Sequence, residues 1–107
     1  MDEQDVEEIG HADVAVVDGC WQIRLAGEIS LDMRPRLTQV AEQVASEQRP
    51  VVVDLADVTF MDSSGIGFLA RLAVDNPQGV RVRNATGLSR ELLTITGLTT
   101  VLTVDDA

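Results

Sequence analysis

Two adjacent hydroxyls, Ser63 and Ser64, stand between a carboxylate, Asp62, and Gly65. Side chains of these types can bind an anion, act as a nucleophile beside a base, or cap a helix. A serine nucleophile of the triad kind needs a histidine. The one histidine, His11, lies in an acidic lead-in far from Ser63 in sequence, and nothing in the pattern fixes it there. Asp-Ser-Ser-Gly also lacks the G-x-S-x-G form of a hydrolase elbow. All eight basic residues are Arg, which removes Schiff-base chemistry and the lysine of a phosphate-binding loop together. An ATPase or kinase activity of its own is therefore not expected. One Cys, Cys20, and one His supply no metal set. No cofactor is expected.

The elements around the two serines decide between the remaining roles. Val51, Val52, Val53 and Leu55 form a short β-branched run interrupted only by Asp54, as in a strand covered on both faces of a sheet. After Gly65, Ile66, Leu69, Ala70 and Ala73 recur at i, i+3, i+4 and i+7, the period of a one-sided helix. A buried strand thus delivers two hydroxyls to a helix start, where free N–H groups and the positive dipole end favour anions. The same residues read equally as caps, because Ser and Asp are favoured there for that reason alone. Asp62 can cap the helix, orient a neighbouring hydroxyl or contact a partner's metal. Gly65 and Gly67 serve close packing or the approach of another molecule. On composition and spacing alone, capping is the stronger reading for both serines.

The 107 residues suit one domain with a single aliphatic core, since 45% are hydrophobic and only 3% aromatic. No apolar run approaches the roughly 20 residues that span a bilayer. The acidic start, MDEQDVEEIG, is unlike a signal peptide. A cytoplasmic protein without membrane insertion is expected, and the single Cys20 agrees with a reducing compartment. A formal charge of −10 argues against direct contact with nucleic acid or anionic lipid.

In chain order, residues 1–11 read as a solvated acidic tail and 12–107 as the domain. Val14 to Val17 is a first strand, Asp18-Gly19 a hairpin turn, and the alternating Trp21, Ile23, Leu25 a second strand ending at Gly27. Trp21 reads as a packing residue at a sheet edge rather than a binding platform. Leu37, Val40, Ala41 and Val44 mark a helix that Ser30 or Asp32 can cap, with Pro35 confined to its first turn. After the central strand and second helix, residues 75–79 form a loop and Val80 to Arg83 a strand. Thr86 opens a third helix with Leu88, Leu92 and Ile95 inward and Gly97 at its end. Thr100 to Val104 is the last strand. The order β-β-α-β-α-β-α-β implies an α/β fold: a mixed, mostly parallel sheet of about five strands with three main helices.

Four features resemble the STAS domain, the fold of anti-sigma factor antagonists that also occurs in the tails of sulfate transporters. They are Gly27-Glu28-Ile29, the stretch VVVDLADVTFMDSSGIG, the Arg-bearing strand Val80–Arg83, and Thr96-Gly97-Leu98. The likeness covers roughly residues 12–104, and FMDSSGIG is its specific part. The resemblance implies that Ser63, directly after the aspartate, is a phosphoacceptor, with Ser64 as its competitor. It reverses the preference for capping. It implies an anti-sigma factor serine kinase, carrying ATP and Mg²⁺, as partner. The unphosphorylated antagonist binds that kinase and frees a sigma factor; phosphorylation releases it, and a Ser/Thr phosphatase resets the cycle. The partner surface would gather Glu28, Ser30, Asp32, Met33, Phe60, Met61, Asp62, Ser64, Gly65, Ile66 and Phe68. Three departures stand out. Ser30 replaces an Asp common in antagonists, the loop after the second helix is short, and the family's C-terminal helix is expected to be missing or reduced to a turn. They keep open a second reading, a STAS subunit of a signalling scaffold or lipid-transport complex that phosphate does not switch. A third is a small-ligand or nucleotide binder using the helix start as an anion site.

Overall fold

The computed structural model describes residues 9–105. Asp18 and Gly19 take left-handed φ of 52° and 80°, so β1 (His11–Val17) turns tightly onto β2 (Cys20–Ile29) and the two pair antiparallel. A 3₁₀ turn, Leu31–Met33, then leads into α1 (Arg34–Ala45). β3 (Val51–Met61) follows, running parallel to β2, and α2 (Ser63–Asp75) starts two residues beyond it. β4 (Val80–Arg83), α3 (Gly87–Ile95), a 3₁₀ turn at Leu98–Thr100 and the two-residue β5 (Thr103–Val104) complete the chain. The sheet order is β1-β2-β3-β4-β5, with every pair after the first parallel. This is the mixed five-strand, three-helix α/β domain expected from the sequence.

One sheet face carries Ile23, Leu25, Val51, Val53, Leu55, Val80 and Val82, all buried. Leu37, Val40, Ala41 and Val44 of α1 and Phe68, Leu69 and Leu72 of α2 join them in one core. The other face is polar. Asp13, Arg24, Asp54 and Arg83 are direct cross-strand neighbours on four successive strands, so the charges alternate in sign across the sheet, the favourable arrangement for opposed pairs. β3 is therefore not covered on both faces: Val52 and Asp54 are half-buried on this polar side. The Asp54 carboxyl would be raised by burial, yet it lies below its usual value of 3.8. Hydrogen bonds from Asn84 and from the Ala56 N–H, with the Arg24 and Arg83 charges, outweigh the burial.

Several local expectations need correction. β3 runs to Met61, well past Leu55, because register shifts between Arg24 and Ala26 and between Gly27 and Glu28 let pairing with β2 continue. Neither Ser30 nor Asp32 caps α1; Met33 occupies that position and the preceding 3₁₀ turn absorbs the entry. Pro35 does fall in the first turn. On α3, Leu88 and Ile95 are exposed while Ser89 and Leu93 are buried. Leu93, Leu98 and Leu102 join the core instead. Thr86 opens α3 without a side-chain cap bond, and Gly97 ends it at φ 77°. Trp21 is 6% exposed on the inner strand β2, and its Nε1–H donates to the Glu47 carbonyl at 2.8 Å. It packs, but not at an edge.

His11 opens β1 opposite Ala26, one residue inside the stretch assigned to the acidic tail. Residues 1–8 lie outside the described residues. No helix is long and apolar enough to cross a membrane among the described residues.

Candidate functional site at the strand-to-helix corner

β2 and β3 are parallel neighbours, so both deliver their chain to a helix at the same sheet edge. In open α/β sheets this edge, outside the carboxyl ends of the strands, is where ligands collect. Ile29 pairs with Met61, and the Asp62 N–H donates to the Ile29 carbonyl at 3.1 Å. That bond fixes the two exits side by side: Ser30 into the 3₁₀ turn and Asp62 into α2.

Asp62 is the N-cap of α2. Its backbone is extended, and its Oδ1 accepts from the Ser64 N–H at 2.7 Å, satisfying one of the orphan donors of the first turn. The Gly65 and Ile66 N–H groups close on the Asp62 carbonyl. The capping role thus falls to Asp62. Ser63 takes the first helical position, exposed, and its hydroxyl has no hydrogen-bond partner among the described residues. Ser64 beside it is half-buried.

Gly65 is required by packing. A Cβ there would lie 2.5 Å from Met61 Cγ, 3.0 Å from Met61 Sδ and 3.1 Å from Ile29 Cγ2, so the start of α2 rests directly on the ends of β2 and β3. A Cβ at Gly67, which is exposed, would meet nothing within 4 Å.

The residues expected at a partner surface separate into two groups. Glu28, Asp32 and Phe60 are exposed, with Ser30, Asp62, Ser64 and Ile66 half-buried around Ser63. Met33 and Met61 are 9% and 2% exposed, Gly65 is buried, and Phe68 is 5% exposed. Met33, Met61 and Gly65 form the bed under the corner rather than its contact face, because the strand ends and α2 approach too closely to leave them outside. Leu31, 62% exposed, and Phe60, 41% exposed, supply the apolar area there.

Beside Ser63 a groove of about 440 Å³ runs between α1 and α2. Leu31, Arg34, Leu37 and Thr38 line one wall; Ser63, Ser64, Gly67, Phe68 and Arg71 line the other. Arg34, Thr38 and Arg71 were not expected from sequence. The available signal was spacing: Arg71 lies eight residues after Ser63, on the same helical stripe. That the α1 wall faces it follows only from the pairing of β2 with β3. No group of three His, Cys, Asp or Glu residues could hold a metal among the described residues.

Comparison with known proteins adds family and fold. The chain is similar to the crystal structure of an anti-sigma factor antagonist from Mycobacterium paratuberculosis, with TM-score 0.84 and 24% identity over 94% of this chain and 88% of that one. It is similar to the anti-sigma factor antagonist SpoIIAA in its unphosphorylated form, with TM-score 0.69 and 18% identity over 91% and 88% of the two chains. It is also similar to the Bacillus cell fate determinant SpoIIAA in the phosphorylated form, with TM-score 0.61 and 18% identity over 91% of each chain. No curated protein sequence matches the chain. The family model described as "Mlab, STAS domain" matches residues 12–103. An exposed serine at the start of α2, on a sheet of this topology, is thus carried by a chain that belongs to the STAS domain family.

Proposed function

We propose that the protein is an anti-sigma factor antagonist that works as a phosphorylation switch. Unphosphorylated, it docks the corner around Ser63 on an anti-sigma factor kinase and so frees a sigma factor. The kinase brings ATP. Ser63 Oγ attacks the γ-phosphorus, the bond to the bridging oxygen breaks, ADP leaves, and the hydroxyl proton passes to a base of the kinase. A phosphatase that hydrolyses the serine phosphate returns the protein to its binding form. The protein serves as substrate and ligand, and regulates by binding.

The observation that carries this reading is the division of labour at the corner. Asp62 takes the capping bond, which leaves the neighbouring Ser63 hydroxyl exposed and without a hydrogen-bond partner among the described residues. A serine needed only as a cap would make the bond that Asp62 makes. Leu31 and Phe60 beside it offer apolar contact area of the kind partners dry on binding. The phosphorylated and unphosphorylated forms known for SpoIIAA give the switch a precedent on this fold.

The energies are of the order the switch requires. Phosphorylation adds about −1.5 to −2 charges at one point. A helix N-terminus accommodates that anion within the free protein, whereas a complex must desolvate it. Turning binding from nearly complete to nearly absent takes about 5.5 kcal/mol, and an uncompensated buried charge costs about 3–5 kcal/mol.

The test is binding of Ser63→Asp and Ser63→Ala to the cognate kinase. Ser63→Asp should lose binding; Ser63→Ala should bind and resist release by ATP. Wild-type binding by Ser63→Asp, together with no phosphate on Ser63 in cells, would instead assign the protein to unswitched STAS subunits.

A further inference from the structure

The groove beside Ser63 is lined by two arginines. Of the eight arginines, Arg36 is tied to the Ala12 carbonyl, Arg49 to Glu47 and Arg81 to Asp105, while Arg24 and Arg83 flank Asp54 on the polar sheet face. Arg34 and Arg71 line the same groove as the two serines, one from each wall. We propose that this groove receives the phosphate of Ser63, holding it between the Arg34 and Arg71 guanidinium groups. This rests on Ser63 being the modified residue, as proposed above.

Ser63, Gly67 and Arg71 fall at i, i+4 and i+8 on one stripe of α2. About 12 Å of helix axis separates the first from the last. A helical side chain leans toward the N-terminus, so Arg71, once released from Asp75, can extend along this stripe toward Ser63. Gly67, midway, leaves the lane bare, since even a Cβ would touch nothing there. Arg34 stands in the first turn of α1, across the groove. Among the described residues its guanidinium has no hydrogen bond or ion pair. Arg71 pairs with Asp75 at 3.3 Å, but both are partly exposed, and an exposed i,i+4 pair of this kind exchanges readily. Two guanidinium forks match the acceptor geometry of a phosphate dianion. Opposing them at the same edge are the carboxylates of Asp32 and Asp62, the latter already engaged by the Ser64 N–H.

The consequence reaches beyond charge. Leu31, Leu37 and Phe68 line the same groove as the two arginines. A phosphate seated there draws both Arg side chains across that apolar lining, so modification closes a docking groove as well as adding charge.

The test uses the full chain with phosphoserine installed at position 63 during translation, so no kinase is needed. Phosphorus NMR then follows the second ionisation of the phosphate. In the folded protein it should fall by about one unit relative to an unfolded peptide of the same sequence. Arg34→Gln and Arg71→Gln should each return part of the shift and the double variant most of it, whereas Arg81→Gln should change nothing. An unshifted phosphate overturns the proposal. So does a shift that survives loss of both arginines, which would belong to the helix N-terminus. Because the titration involves no partner, a negative result leaves the kinase-binding test standing, and failure of that test leaves the titration interpretable.

Discussion

Gly65 and Gly67 stand two residues apart in α2, and their replacement by alanine should have opposite effects. Exchanging glycine for alanine inside a helix gains about 0.8–1 kcal/mol. At Gly67 nothing offsets the gain, since a Cβ meets no atom within 4 Å. Gly67→Ala should therefore stabilise the fold by about 0.5–1 kcal/mol, raising the melting temperature by about 2–5 °C. At Gly65 the new Cβ would lie 2.5 Å from Met61 Cγ and 3.1 Å from Ile29 Cγ2. Met61 is 2% exposed and Ile29 fully buried, so neither can swing aside into solvent. Overpacking of this kind costs about 1–3 kcal/mol. Less the helix gain, Gly65→Ala should lose up to about 2 kcal/mol, with a fall in melting temperature of up to about 8 °C. Function should run the other way at Gly67. The added methyl sits in the lane beside Ser63, so the more stable variant should be the poorer substrate of the cognate kinase. Thermal melts and initial rates of phosphoryl transfer measure both. A Gly65→Ala protein melting at or above wild type would refute the close strand–helix contact. A Gly67→Ala protein phosphorylated at the wild-type rate would refute the access role.

The cap and the polar sheet face give two further expectations. Asp62→Ala removes the acceptor of the Ser64 N–H and should cost about 1 kcal/mol in denaturant unfolding, with Asp62→Asn recovering most of it; equal losses in both would contradict the capping role. Asp54 titrates below its usual value in the folded state. Its ionised form therefore adds stability that is present above the unfolded value of 3.8 and is lost as pH falls through the lower folded one. The stability gap between wild type and Asp54→Asn should accordingly shrink on acidification from neutral pH to below pH 3.8, measured by urea unfolding at each pH. A gap independent of pH would show that the carboxylate charge is not what holds Asp54.

The parts legible in sequence were those governed by near neighbours. Asp18-Gly19 announced a tight hairpin, Pro35 a first turn, Gly97 a helix end, and Asp-Ser-Ser-Gly a strand-to-helix corner, because each depends on the local backbone. The inward face of α3 was not legible. Leu88, Leu92, Leu93 and Ile95 fit two overlapping stripes in a nine-residue helix, and only packing with Leu98 and Leu102 selects Leu93. The run of β3 past Leu55 was hidden by Ala56-Asp57, where alternation breaks and register shifts absorb the irregularity. At the site, the pair Ser63-Ser64 could be picked out from its own segment, and only the family resemblance ranked Ser63 ahead of Ser64. The facing wall of Arg34 and Thr38 could not, since it reaches Ser63 through the parallel pairing of β2 and β3. Burial of Met33, Met61 and Gly65 depends on the same close approach.

The central claim is most directly measured by mapping the phosphoryl group after incubation with a histidine-kinase-like anti-sigma factor and ATP. Intact mass, followed by fragmentation of wild type, Ser63→Ala and Ser64→Ala, should show one phosphoryl group on Ser63, retained in Ser64→Ala and absent from Ser63→Ala. A phosphoryl group on Ser64, or an unmodified wild-type protein bound to that kinase in the presence of ATP, would contradict it.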